Sequence, residues 1–177
     1  MAKARIATAW LDGCSGCHMS FLDMDHFLLQ LADKIELVYS PLVDVKEYPA
    51  DVDVALIEGA VSTDEDEVKI RRIRQRTKTL VSLGDCAVTG NVPTMRNPFG
   101  TAGTLARAFQ ENVDCQPQTP TTHLPVLLER VVPVHEVVHV DLFIPGCPPP
   151  SQAIVYAVTE LLAGRMPDVS AMTRFGK

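Results

Sequence analysis

From Ala4 to Leu11 the chain is almost continuously apolar, with small and branched side chains, and it breaks at Asp12-Gly13. A run of this kind that stops at a turn signal predicts a strand buried on both faces. Between Ser20 and Lys34 the residues Phe21, Met24, Phe27, Leu28 and Leu31 recur at steps of three and four. That period predicts an amphipathic helix, with Ser20 as its N-cap. Ile35 to Val43 reads as a second strand, and Val52 to Ile57, ending at Glu58-Gly59, as a central parallel one. Thr63 to Thr77 predicts a charged helix, and Leu80 to Leu83 a short strand closing at Gly84-Asp85-Cys86. Ala102 to Glu111 is expected to be helical, and Cys115 to Pro125 to be a polar, proline-rich linker. Val131 to Ile144 holds at least one strand, placed at Val140 to Ile144, which stops at Pro145-Gly146-Cys147. A last helix, Ser151 to Ala163, ends at Gly164.

Strands that alternate with helices imply a parallel sheet covered on both faces by right-handed crossovers. The expected fold class is α/β: a flavodoxin-like three-layer sandwich with a parallel sheet. In such sheets ligands bind beyond the carboxyl ends of the strands, near the point where strand order reverses. Those ends carry, in chain order, Cys14 and Cys17, then Glu58, then Cys86, then Cys147.

Composition narrows the picture. The 177 residues suit one domain, 1–177, with no internal repeat or low-complexity tract, and a chain of this size buries about 70% of its unfolded surface. With 46% hydrophobic and 21% charged residues it reads as a soluble protein, and its apolar runs are too short to span a bilayer. The Met1 to Arg5 start lacks the hydrophobic stretch and cleavage site of a secretory signal, so the expected location is the cytoplasm. A net charge of -6 argues against general nucleic-acid binding. Acids Asp64 to Glu67 precede the bases Lys69, Arg71, Arg72, Arg74, Arg76 and Lys78, an order that suits a helix dipole. A solvated helix accounts for this stretch; a partner-docking stripe is the alternative reading.

The cysteines carry the candidate chemistry. In a reducing compartment five cysteines do not build a disulfide framework, which leaves metal binding or catalysis. Cys14-Ser15-Gly16-Cys17 has the spacing of iron–sulfur, zinc and dithiol motifs alike, and Gly16 is free to take a positive φ beside a cofactor. Cys147 sits in Pro145-Gly146-Cys147-Pro148-Pro149-Pro150, a stiff segment that would aim its thiol and limit water access. Taken singly, Cys86 and Cys147 are equally well read as small buried hydrophobes. Four thiols from three strand-end loops fit the width of one [4Fe–4S] cube, one thiolate per iron. A structural zinc site of four cysteines competes, although such sites usually draw on two close pairs. Cys115, in the polar linker, is expected to be a bystander.

Trp10-Leu11-Asp12-Gly13-Cys14-Ser15-Gly16-Cys17, Ile57-Glu58-Gly59-Ala60, Gly84-Asp85-Cys86-Ala87 and Ile144-Pro145-Gly146-Cys147-Pro148-Pro149 together resemble the small subunit of [NiFe] hydrogenases. The likeness is in particular to the short type found in cytoplasmic NAD-reducing (bidirectional) enzymes. The resemblance implies that Cys14, Cys17, Cys86 and Cys147 bind the cluster nearest a nickel–iron centre held by a separate large subunit. It also implies flavin- and iron–sulfur-containing NAD-reducing (diaphorase) partner subunits, and no catalytic residue in this chain. Larger relatives carry further cluster ligands downstream, whereas here no cysteine follows Cys147, so one cluster is expected. Many relatives place a glutamate where this chain has Met19, which leaves Glu58 as the carboxylate near the site, expected to accept backbone N–H bonds at the strand end or to contact the partner, with proton transfer as the alternative reading. The homologous subunit of a quinone-reducing respiratory complex is the rival; it typically begins with two adjacent cysteines, unlike Cys14 and Cys17. His18 would face sulfur or the partner, or simply pack, and Asp85 and Thr89 beside Cys86 would either support the site or serve the turn. Whether FMN binds is left open.

Overall fold

The computed structural model describes residues 3–176, so Met1 and Ala2, part of the start read as lacking a secretory signal, lie outside it. Its strands are Ala4–Trp10 (β1), Ile35–Tyr39 (β2), Val52–Glu58 (β3), Val61–Thr63 (β4), Thr77–Leu83 (β5), Leu127–Val132 (β6) and Leu142–Ile144 (β7). The α-helices are Gly16–Leu22 (α1), His26–Leu31 (α2), Asp64–Gln75 (α3), Asp85–Thr89 (α4), Gly100–Ala106 (α5) and Ser151–Leu162 (α6). The principal sheet has the order β2-β1-β3-β5-β7, every pair parallel. This is the doubly wound flavodoxin-like order, whose reversal falls between β1 and β3.

Alternation along the inner strands builds two cores. Ile6, Val54, Leu56, Val81, Leu83 and Ile144 face α1, α2 and α6, against Phe21, Leu31, Ile154 and Val158. Ala7, Ala9, Ala55, Ile57 and Leu80 face the other way, against Ile70 and Ile73 of α3 and Ala87 of α4. A parallel sheet covered on both faces needs apolar residues at every position, and each inner Ile or Leu contributes about 1.5–3 kcal/mol by leaving water. The three layers therefore follow from the near-continuous apolar runs of β1 and β3.

Three departures from the sequence-based expectations matter for the site. The helix expected over 20–34 is two helices, broken at Asp23–Asp25, where Asp25 takes φ 49. Its first half begins at Gly16, inside the cysteine pair, so Ser20 is not an N-cap; its hydroxyl instead donates to the Pro149 carbonyl at 2.5 Å. The positive φ of that turn belongs to Ser15 (φ 67), the residue preceding the helix, and not to Gly16. Elsewhere β4 and β6 form a separate antiparallel ribbon, a 3-10 helix spans Val92–Phe99, and the expected helix 102–111 starts at Gly100 and ends in a π turn.

α3 matches the charge reading closely. Thr63 caps it with a reciprocal box: Thr63 Oγ1 accepts the Asp66 N–H and the Asp66 carboxylate accepts the Thr63 N–H, both at 3.1 Å. Much of the basic side is engaged within the chain, Arg71 with Glu67, Arg74 with Asp141 and Arg76 with the Tyr48 carbonyl. The Arg74 and Arg76 groups tie the end of α3 to its neighbours, whereas Arg71–Glu67 is a pair within the helix.

Candidate metal centre

Each cysteine loop leaves the carboxyl edge of the sheet, as parallel strands dictate. The first loop is pinned at its base, where Leu11 N–H donates to the Glu58 carbonyl (2.9 Å) and Asp12 and Ala60 exchange hydrogen bonds (3.0 and 2.7 Å). Gly59 makes this approach possible: at φ +92, a Cβ there would lie 2.8 Å from Asp12 O and Leu11 C. Cys17 then falls in the opening turn of α1, and Cys86 in that of α4. Cys147 follows β7 in the proline segment.

Backbone hydrogen bonds join the second and third loops. Gly84 N–H donates to the Ile144 carbonyl (2.8 Å) and Asp85 N–H to the Gly146 carbonyl (2.9 Å). The first loop meets the second through Gly84, where an added Cβ would stand 2.1 Å from Cys17 Sγ. Cys17 is buried, Cys86 is half-buried, and Cys14 and Cys147 are exposed, so this chain alone leaves one side of the site open to solvent. The proline segment therefore does not by itself keep water from Cys147.

The thiols lie within one another's electrostatic reach. Burial pushes the Cys17 thiol far above its ordinary value, and charge at Glu58, Cys86, Cys14 and Cys147 pushes it the same way. Cys86 is pushed up to about 11, first by burial, then by Cys14, Cys147 and Glu58, with the Val92 N–H hydrogen bond pulling in the opposite direction. Asn91 Nδ2 donates to Cys147 Sγ at 3.6 Å. Cys115 is exposed in the irregular linker, apart from this group.

Glu58, at the end of β3, is 2% exposed. Its Oε2 accepts the His18 N–H at 2.9 Å and lies 2.5 Å from His18 Nδ1. Glu58 thus holds the start of α1, the structural role expected of it. His18 is buried against this carboxylate and the edge of Trp10, with ring centroids 5.3 Å apart, so it is a packed histidine. Thr89 serves the turn, its hydroxyl donating to the Asp85 carbonyl.

Known proteins share the fold and much of the sequence. The sequence profile of the family described as NADH ubiquinone oxidoreductase, 20 Kd subunit, matches residues 14–161. The chain belongs to this family. It is 39% identical to the NAD-reducing hydrogenase HoxS subunit delta of Cupriavidus necator, over 98% of this chain and 86% of that protein. It is 35% identical to a subunit of the F420-non-reducing hydrogenase (vhu) of Methanocaldococcus jannaschii, over 92% of this chain but only 57% of that longer relative. Among solved structures, a chain of an NAD+-reducing [NiFe]-hydrogenase in the H2-reduced state superposes with a TM-score of 0.94 at 42% identity, covering 98% of this chain and 99% of that one. A [NiFeSe]-hydrogenase chain from Dm. baculatum, at 17% identity and TM-score 0.63, shares the fold; the match covers 99% of this chain and 70% of that one. This family member is therefore homologous to a subunit of an oxidoreductase complex whose active site lies on another chain.

The donor set of this family member fits a four-thiolate cluster. Burial, and after it the charge of neighbouring thiols and Glu58, disfavours the thiolate of Cys17 and of Cys86, so a cationic core is needed to hold them as ligands, and an iron–sulfur cluster provides one. A cradle is left clear for it, since side chains at Gly84 and Gly16 would crowd Cys17 Sγ and Cys14 Sγ, at 2.1 and 3.2 Å. Among the described residues no three His, Cys, Asp or Glu side chains gather tightly enough for a single metal ion. Sequence reasoning missed Asn91 and Val92 as donors to sulfur, because nothing local marks a backbone or amide N–H whose acceptor is a ligand.

Proposed function

We propose that this chain is the electron-transfer small subunit of a [NiFe] hydrogenase of the NAD-reducing type, and that Cys14, Cys17, Cys86 and Cys147 hold one [4Fe–4S] cluster. The observation that supports the reading is the joining of three cysteine-bearing strand-end loops at one sheet edge, where Gly84 packs on Cys17 Sγ and the Cys86 loop is hydrogen-bonded to the Cys147 loop through Gly84–Ile144 and Asp85–Gly146. Bound there, the cluster would supply one-electron transfer between a hydrogen-activating large subunit and a flavin- and NAD-binding module. The chain's own residues do the holding. α1 and α4 present Cys17 and Cys86, Glu58 fixes the first loop, and the Asn91 and Val92 N–H groups donate to Cys147 and Cys86 sulfur. Hydrogen bonds of that kind favour the more negative, reduced form.

The open side at Cys14 and Cys147 is where we place the large subunit, which would complete the exclusion of water. Exposed Met19, Val92 and Met95, on α1 and the 3-10 helix after Cys86, give that side apolar surface. We read residues 1–177 as a single cluster-binding domain that works in the cytoplasm; all five cysteines are free thiols, and among the described residues no helix is long and apolar enough to cross a membrane. The hydrogenase assignment is favoured over a respiratory-complex subunit by the Ser15-Gly16 spacer and by the hydrogenase relatives.

Co-expression with the partner subunits tests this. The expected product is brown, with about four irons and four labile sulfides per chain. Cys86→Ser abolishes the cluster and Cys115→Ser leaves it intact. Colourless protein carrying one zinc would overturn the cluster, and mass spectrometry of the co-purified partner separates hydrogenase from respiratory complex.

A further inference from the structure

Asp85 precedes Cys86, and Gly146 precedes Cys147. The two residues are joined twice: Asp85 N–H donates to the Gly146 carbonyl at 2.9 Å, and Gly146 N–H donates to Asp85 Oδ1 at 2.7 Å. The other carboxylate oxygen, Oδ2, accepts the Gly176 N–H at 2.8 Å. Asp85 is only 2% exposed, so both oxygens depend on these protein donors rather than on water.

Plain turn chemistry does not account for this. An aspartate serving its own helix would bond N–H groups of the first turn, but both Asp85 oxygens reach donors 61 and 91 residues away, and Gly84, at the N-cap of α4, supplies no side-chain cap. The partner loop is equally constrained. Gly146 takes φ +133, a Cβ there would meet Pro149 Cα at 2.5 Å, and the Thr173 hydroxyl donates to the Pro145 carbonyl. Both ends of the bridge are therefore stiff, and each continues directly into a cysteine.

We propose that Asp85 is a positioning residue of the cluster site: its carboxylate sets the separation and orientation of Cys86 and Cys147 and ties the segment around Gly176 to them. This rests on the ligand assignment made above. Glu58 holds the loop of Cys14 and Cys17 in the same manner, so each half of the ligand set has one buried carboxylate bonded to the backbone of its loops.

The test compares the wild-type complex with complexes carrying Asp85→Asn, Asp85→Ala, or a chain shortened after Arg174. Iron and labile sulfide, the rate of iron loss to a chelator, the EPR spectrum and midpoint potential of the cluster, and the thermal midpoint are read for each. Asp85→Ala is expected to lose iron about ten- to a hundredfold faster than wild type, the usual range for groups that orient metal ligands. Asp85→Asn keeps one acceptor and falls between the two. In both variants the EPR spectrum changes and the potential rises, because a negative charge beside the cluster is gone. The shortened chain keeps the Asp85–Gly146 pair and stays close to the wild-type rate. A merely structural role would lower the thermal midpoint while leaving iron loss below the transition, spectrum and potential unchanged, and that result overturns the proposal. Should Asp85→Ala fail to assemble, Asp85→Asn decides by the same criteria. Absence of a [4Fe–4S] signal in the wild type would overturn the ligand assignment, and this proposal with it, before any variant is compared. A normal wild-type cluster with unchanged variants overturns the role of Asp85 alone.

Discussion

Replacing Gly84 by alanine should damage this protein in two separable ways. The backbone there has φ 83 and ψ 161, a region essentially reserved for glycine, and forcing a β-carbon into it costs about 1–3 kcal/mol. The new methyl group would also stand 2.1 Å from Cys17 Sγ, with Gly146 O at 3.5 Å closing the other side. Ordinary contact needs about 3.5 Å, so the thiol must retreat by more than about 1 Å or the loop must move, at a further cost of about 1–3 kcal/mol. The sum, about 2–6 kcal/mol, is a large part of the roughly 5–15 kcal/mol that holds a typical domain together. A ligand displaced by more than about 0.5 Å no longer meets its cofactor properly, so iron content should fall as well. Urea unfolding followed by far-ultraviolet circular dichroism, with iron assayed on the same preparation, reads both effects. Gly103→Ala is the matched control: it lies in α5 with nothing within 4 Å of the added carbon, and should be neutral or stabilising by up to about 1 kcal/mol. A Gly84→Ala protein with wild-type midpoint and full iron would refute the packing of Cys17 on Gly84.

Other substitutions probe the remaining supports. Glu58→Ala leaves the His18 N–H and Nδ1 without their acceptor in a fully buried setting, and should cost about 2–5 kcal/mol in urea unfolding, with Glu58→Gln costing less; equal losses would contradict the hydrogen-bonding account. Asp141 is disfavoured as a charge by burial, but the Leu80 N–H and the Arg74 guanidinium outweigh that and hold its carboxyl below the ordinary range. Its contribution, about 1–2 kcal/mol, is therefore present above the unfolded pKa of about 3.9 and lost as pH falls through the lower folded value. Asp141→Asn should accordingly unfold more easily than wild type at pH 7, and the difference should shrink as pH falls below the ordinary carboxylate range and the wild-type carboxyl takes up its proton. Asn91→Asp exchanges a donor to Cys147 Sγ for an acceptor while keeping a residue tolerant of positive φ, so the cluster's midpoint potential, read by EPR-monitored titration, should fall; an unchanged potential would remove Asn91 from the site.

The amino-acid sequence by itself determined the layers and the placement of the cysteines. Buried parallel strands read as near-continuous apolar runs, and β1 and β3 are mostly apolar, with Arg5, Thr8, Asp53 and Glu58 as the exceptions; covalent order then puts Cys14 and Cys17, Cys86 and Cys147 just past the ends of β1, β5 and β7. α3 was equally legible, because a capping box and graded charge are local signals. The break at Asp23–Asp25 was not, since the apolar step of three and four runs across it and only the fit of α1 and α2 to the sheet interrupts it. Short strands such as β4 and β6 gain their stability from pairing with each other across more than sixty residues, which no local window contains. The same holds for the partners of Glu58, Asp85 and Asn91: a side chain's chemistry states what it can bond, but distance decides what it does bond, and distance exists only once the chain has folded.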